Sequence, residues 1–251
     1  MTEVERKAFA LHARLPGFAR KVERALLVLT TAKEQGRQPY AAFSGGKDST
    51  VMLDLVRRVF PEAPAVFADD EWHLPETLAV LPQIPNLTRV AGQRTHASWF
   101  TAWVEGPANL PPGVVWIDAM QHGSRMGTWA RQHDCDTACI GIRADENSYR
   151  RKHVRAFGEL FYAKSRDFWH CYPVAWWSLS DIWAYIVSRD LPYNQAYDRM
   201  SALGVPLPSQ RVGPLAVERV LGYGQMAILK RGWPDLYRRF VARYPEASAY
   251  V

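Results

Sequence analysis

Apolar positions along the chain repeat with two different periods, and the changes from one to the other outline the fold. Phe18, Val22, Ala25, Leu26 and Leu29 fall three or four residues apart, which predicts an amphipathic helix over 18–34, set off from the first segment by Pro16-Gly17. Tyr40 to Phe43 then reads as a first strand, 48–60 as a helix and 63–68 as a second strand. A helix near 75–81 and strands near 86–90, 114–117 and 137–142 continue this βαβ rhythm. The expected fold class is α/β: a doubly wound, mostly parallel sheet with helices on both faces. Residues 92–112 mix Gly, Pro, His and Trp without periodicity and predict an irregular excursion. Ser178 and Asp181 form a capping-box-like start for a helix to about Arg189, ending before Pro192. Beyond Arg199 the pattern breaks into short helices over 215–221, 225–230 and 235–244. Three units follow: a helical segment over 1–35 packed on the core, a nucleotide-binding α/β domain over 36–198 and a basic helical extension over 199–251.

Composition narrows the class. With 251 residues, 48% hydrophobic and 22% charged, the chain has material for a sizeable core and no bias toward disorder. It is charged from its third residue, and no uninterrupted apolar run approaches the length of a membrane span, so a cytoplasmic protein without membrane association is expected. Three cysteines give no disulfide framework and suit a reducing compartment. The formal charge of +6 is concentrated at the end of the chain, where Arg199 to Val251 holds eight Lys or Arg against three acids. Such a patch suits nucleic acid, a larger protein complex or a polyanionic substrate, or else forms the solvated face of amphipathic helices. The oligomeric state is left open, a dimer being compatible with the sequence.

The most informative segment lies between the first strand and the helix after it, Ala42-Phe43-Ser44-Gly45-Gly46-Lys47-Asp48-Ser49-Thr50. Adjacent glycines let the backbone turn tightly and approach a ligand. The helix N-terminus behind them offers unpaired N–H groups and the positive end of a dipole, which favours a polyphosphate, and Lys47 adds a mobile positive charge. The common P-loop needs Gly at 41 and Ser or Thr at 48, where this chain has Ala41 and Asp48, so a different nucleotide loop is indicated. The structural alternative is a glycine turn capped by Asp48 and Ser49. A second segment, Asp69-Asp70-Glu71 running to Pro75-Glu76-Thr77, leaves a strand end that faces the ligand crevice of such a sheet. There Asp69 either hydrogen-bonds a ribose, holds Mg²⁺ through water, or decorates a loop. At a third strand exit, Gly141-Ile142-Arg143-Ala144-Asp145-Glu146-Asn147, glycine permits close approach and Arg143 is the candidate for an α-phosphate; Glu146 and Arg150 suit a supporting ion pair.

SGGKDS resembles the PP-loop of the ATP pyrophosphatase superfamily. With Asp69 and Pro75-Glu76-Thr77, GIRADEN and Arg150, Tyr172-Pro173-Val174 with Trp177, Asp181 to Ile186 and Leu191-Pro192-Tyr193-Asn194, residues 40–198 resemble the phosphoadenylylsulfate (PAPS) reductase family. The resemblance implies an adenine-nucleotide site at the carboxyl edge of the sheet, an adenine nucleotide alpha-hydrolase-like fold, the loop on phosphates, Asp69 beside the nucleoside, and Gly141 and Arg143 near the ribose and α-phosphate. Reductases of this family end in a mobile segment whose cysteine attacks sulfur. This chain has no cysteine after Cys171, and Pro214 follows Arg211-Val212-Gly213 where a family cysteine motif would place a Cys. The loop, often eroded in reductases, is intact.

Together these features predict an ATP-binding enzyme that uses Mg²⁺ and cleaves ATP between the α- and β-phosphates, by adenylyl transfer or hydrolysis. Lys47, Asp48 and Arg143 would be catalytic, with Asp48 placing the metal. The expected nucleotide-binding set is Ala42 to Thr50, Asp69, Gly141, Arg143 and Arg150. Alternatives are a reductase or sulfotransferase acting on PAPS, or a nucleotide-bound accessory module of a nucleic-acid, phage, plasmid or CRISPR-type defence complex. Cys135, Cys139 and Cys171 read as buried small hydrophobes more readily than as iron–sulfur ligands. Trp177 and Trp183 read as core, Trp99, Trp103 and Trp233 as free to stack on a partner, and Arg150, Arg151, Lys152 and Arg155 as a basic rim guiding ATP or a nucleic-acid acceptor.

Overall fold

A computed structural model of the protein describes residues 1–69, 72–92, 110–117, 125–213 and 224–251. Seven strands form one sheet in the order β4-β3-β2-β1-β5-β7-β6. They are β1 (Pro39–Phe43), β2 (Ala65–Ala68), β3 (Leu87–Gly92), β4 (Val114–Ile117), β5 (Thr137–Ile140), β6 (Leu160–Ala163) and β7 (Phe168–Cys171). All neighbours are parallel except β6 and β7, which form an antiparallel edge. Ten α-helices are described: α1 (Glu3–His12), α2 (Pro16–Glu34), α3 (Lys47–Val59), α4 (Pro75–Val80), α5 (Arg125–Gln132), α6 (Ser148–Phe157), α7 (Leu179–Ser188), α8 (Ala196–Ala202), α9 (Gln225–Gly232) and α10 (Pro234–Arg243).

Alternation along the central strands splits the interior into two cores. Ala41, Phe43, Ala65, Phe67, Cys139 and Cys171 face one side, where α2, α3 and α7 cover them. Tyr40, Val66, Val90, Ala138 and Phe168 face the other, against Trp129 and Ala130 of α5. Period-two side-chain direction makes this division unavoidable once the strands are parallel and covered on both faces. The first core continues through Met226, Leu229, Trp233, Leu236, Phe240 and Tyr244, so the C-terminal helices complete the same apolar interior as β1 and β2. Trp233, expected to be free for stacking, is 4% exposed, and its indole Nε1 donates to Glu76 at 2.8 Å. Trp99, Trp103, Asp70, Glu71, Pro214, the excursion after Gly92 and the helix expected over 215–221 lie outside the described residues or nearly so.

Among elements that periodicity did not predict, α1 opens with a capping box between Thr2 and Glu5 yet has no buried residue. It is held by His12, whose ring lies 2.8 Å from Asp181; Lys21 of α2 pairs with the same carboxylate, which also caps α7 through Ser178. Among the described residues no helix is long and apolar enough to cross a membrane.

β1 has β2 on one side and β5 on the other. The order therefore reverses between β1 and β5, and in such sheets the crevice outside the carboxyl ends of the strands at this point takes the ligand. The turns after Phe43 and Ile140 both open there.

Candidate nucleotide site

The turn from β1 into α3 is held from within and from behind. Gly45 has φ +71°, a left-handed conformation that a side chain resists. The Ser49 hydroxyl donates to the Gly46 carbonyl at 2.9 Å and accepts from the Ser44 amide at 3.2 Å, and the Thr50 hydroxyl also donates to Gly46 at 3.1 Å. Behind the turn, the Asn194 amide donates to the Gly45 carbonyl at 3.1 Å and to the Thr77 hydroxyl at 2.8 Å. The Lys47 amide donates to the Tyr197 hydroxyl at 3.1 Å. Replacing Asn194 with alanine removes its bonds to the Gly45 carbonyl, the Thr77 hydroxyl and the Ala196 amide and is expected to lower stability by about 1–3 kcal/mol, read as a fall in the urea midpoint, with loss of affinity for any ligand of the turn.

Gly141 brings the exit of β5 against this turn. A Cβ there would stand 2.9 Å from the backbone carbon and oxygen of Asp48 and 3.0 Å from the Ser49 nitrogen. Two residues later Arg143, 5% exposed, donates through Nε to Asp48 at 2.5 Å and through an NH group to the carbonyl of the core residue Trp177 at 3.4 Å. Lys47, 7% exposed, reaches the other Asp48 oxygen at 3.1 Å. Burial would raise the Asp48 carboxyl, but Lys47 and Arg143 more than offset this and hold it below its ordinary value. Burial pulls the Lys47 ammonium down, against Asp48. Arg150 is likewise lowered, by burial and then by the nearby Arg211, although it pairs with Glu146. Cations crowd this end beyond what its carboxylates neutralise, as an anion site requires.

These groups border a cavity of about 610 Å³. Ala42, Phe43, Ser44, Gly46, Lys47, Asp48, Ser49, Gly141, Arg143 and Arg150 line it. Gly45 and Thr50, also expected there, shape the turn without lining the cavity. Asp69 does not line it either: its carboxylate, 2% exposed, is bound by Arg89 at 2.9 Å and 2.5 Å and lies 3.5 Å from His73. The strand end instead contributes Ala68 and His73, and Phe67, Met126 and Ile140 add apolar lining. The expected set also lacked Tyr197, Gln210, Arg211 and Gln225. Tyr197 could have been noticed three residues beyond Asn194, and Arg211 as the one charge in its segment.

A magnesium ion is only partly provided for. Among the described residues no group of three or more His, Cys, Asp or Glu could hold a metal. Asp48 fits as a single protein ligand to an ion otherwise held by phosphate oxygens and water. The thiols are separated: Cys139 and Cys171 are register partners in the first core, whereas Cys135 lies in the second. The Cys171 thiol is pushed well up by Cys139 and burial, and burial, aided by Asp136 and Asp134, raises Cys135 to about 11. Neither is a thiolate nucleophile at neutral pH.

Two further buried groups contribute to the acid sensitivity. Burial would raise Asp69, yet hydrogen bonds from His73 and Arg89 hold it at about 2 against an ordinary 3.8. Its contribution is present above the unfolded value and is lost as pH falls from about 4 to 2, worth roughly 2 kcal/mol. Burial lowers His170 from 6.5 to about 4, with Arg166 adding to it. Between those values only the unfolded chain takes up the proton, so stability falls by roughly 3 kcal/mol as pH drops through that window. Urea midpoints at pH 7 and pH 4.5 should therefore differ less in His170→Gln than in the unmodified protein.

The chain is similar to known proteins. Residues 38–213 match the family model described as phosphoadenosine phosphosulfate reductase domain. A phosphoadenosine 5'-phosphosulfate reductase of Gloeobacter violaceus is 27% identical over 168 residues, covering 61% of this chain and 63% of the relative. An adenosine 5'-phosphosulfate reductase of Geobacillus kaustophilus is 29% identical over 196 residues, covering 70% and 74%. The chain thus spans less than two thirds of the first relative's length. In fold it is similar to the PAPS reductase of Candida auris in a phosphate complex, with TM-score 0.53 and 16% identity over 86% of this chain and 97% of the other. It is also similar to the FMN adenylyltransferase of Candida glabrata in complex with ATP, with TM-score 0.52 and 14% identity over 78% and 66%. A match over residues 38–213, most of the chain, means that this protein belongs to the phosphoadenosine phosphosulfate reductase domain family, within the PP-loop superfamily.

Proposed function

We propose that the protein binds ATP at this cavity and cleaves it between the α- and β-phosphates, releasing pyrophosphate and leaving AMP on an acceptor or on water. The observation that carries this reading is the convergence of buried Lys47 and Arg143 on the glycine turn at the head of α3, in a cavity whose apolar lining, Phe67, Met126 and Ile140, suits a purine. The turn's amides and Lys47 would hold the departing pyrophosphate. Arg143, fixed by Asp48 and the Trp177 carbonyl, would face charge growing at the α-phosphate. The acceptor oxygen would form its bond to the α-phosphorus as the bond to the bridging oxygen breaks, that oxygen leaving with pyrophosphate. Magnesium would neutralise phosphate charge, with Asp48 as its protein ligand. Catalysis of this kind is positional and electrostatic. Incubation with ATP and Mg²⁺ should give AMP and pyrophosphate; ADP and phosphate, or no turnover with any acceptor tried, would sink it.

A second reading is supported by the names of the relatives: a sulfonucleotide as the substrate, with Arg150 and Arg211 as additional anion partners at the cavity. It lacks a thiol nucleophile, since all three cysteines are buried. Competition between ATP and PAPS for the site separates the two, tighter binding of PAPS favouring the second.

A further inference from the structure

Among the described helices, charge is most one-sided on α6. Its ten residues carry Arg150, Arg151, Lys152 and Arg155 and no acid, and Val154 is its one buried residue. Arg150 pairs with Glu146 and lines the cavity. Arg151, Lys152 and Arg155 are exposed and, among the described residues, make no ion pair. The adjoining flank of the helix is aromatic. Tyr149 and Phe157 are 75% and 55% exposed. Their rings continue in a ladder, Tyr149 to His153 at 6.5 Å and 21°, His153 to Phe157 at 4.8 Å, and Phe157 to Phe161 of β6 at 5.3 Å and 29°.

The C-terminal segment, richer in basic residues by sequence, is different. Arg199 engages Glu76 and the Trp233 ring, Lys230 lies over Tyr237, Arg238 pairs with Asp235 and Arg243 lies over Tyr244. Four of its seven described cations thus have partners.

We infer that α6, with its basic flank and exposed ring ladder, is a binding surface for single-stranded nucleic acid that leads to the mouth of the cavity. Unpaired cations beside the rings follow a phosphate backbone, and flat exposed rings stack on bases that a single strand presents and a duplex hides. An acidic peptide would use the cations and leave the rings idle. Arg150 belongs to both α6 and the cavity wall, so a strand on this face has its end directed at the nucleotide site.

The test is fluorescence anisotropy with a labelled single-stranded RNA or DNA and, for comparison, a duplex of the same sequence, in the absence of ATP. The single strand should bind about 10-fold or more tighter than the duplex and weaken roughly 20-fold between 50 and 200 mM salt, as expected for about three phosphate contacts. The triple variant Arg151→Ala/Lys152→Ala/Arg155→Ala and the double variant Tyr149→Ala/Phe157→Ala should each lose about 10-fold, with unchanged melting curves. Arg231→Ala/Arg239→Ala should bind as the unmodified protein does. Equal binding of duplex, equal displacement by polyaspartate, loss confined to the Arg231/Arg239 variant, or no binding would each overturn the inference. Because the assay contains no ATP, its failure leaves the proposed ATP cleavage standing, and failure of ATP cleavage leaves this surface standing.

Discussion

Lys47→Ala is expected to lower AMP formation from ATP by on the order of 100-fold or more, and Arg143→Ala by at least as much. The two should differ in kind. Lys47 is a buried ammonium whose proton is disfavoured by burial and retained beside Asp48. A phosphate oxygen bound to it relieves that cost in ground and transition states alike, so Lys47→Ala should raise KM as well as lower kcat. Arg143 is fixed by Asp48 and a core carbonyl before any ligand arrives. Charge that appears at the α-phosphate only during bond breaking meets a cation already in place, so its loss should fall mainly on kcat. Arg143→Lys should not restore activity, because one ammonium cannot donate in the fork geometry that reaches both Asp48 and Trp177. Steady-state kinetics on the three variants tests this, and equal changes in KM alone would remove Arg143 from the chemistry.

Gly141→Ala should damage the site out of proportion to the one methyl it adds. Its Cβ would meet the backbone of Asp48 and Ser49 at 2.9–3.0 Å, and backbone, unlike a flexible side chain, cannot swing away. Either β5 or the head of α3 must shift. Overpacking of this kind costs about 1–3 kcal/mol, and here the displaced atoms form the wall of the site. The expected result is a lower melting temperature together with a loss of nucleotide affinity larger than stability alone explains. Gly17→Ala is the contrast: its Cβ would find only the end of Arg20, at 3.9 Å, inside α2, and should be neutral or slightly stabilising. Calorimetric titration of both variants with ATP, alongside thermal unfolding, checks the pair. Equal affinity in both would mean that the turn tolerates movement.

The elements that periodicity revealed are those with two-sided or one-sided burial. β1, β2 and α3 carry apolar residues at the right intervals because each faces the core along its length. α6 escaped because Val154 alone is buried in it; its signs were local, the Asn147 cap accepting from the Arg150 amide at 2.8 Å and Gly158 with φ +81° ending it. β6 and β7 escaped because an antiparallel edge of four residues each leaves little pattern to read.

By itself the sequence determined the βαβ rhythm, the glycine turn at the head of α3 and a strand exit bearing Arg143, since each depends on neighbours within a few residues; that the exit lies against the turn was decided by the fold. The tertiary structure alone decided which charges are available. It placed Asp69 in a buried pair with Arg89 and His73, brought Tyr197 and Asn194 behind the turn and Arg211 to the cavity, and supplied partners for four of the seven described cations of the C-terminal segment. The physical reason is that a side chain's charge is set by its composition, but its partners and its exposure to solvent come from segments distant in sequence.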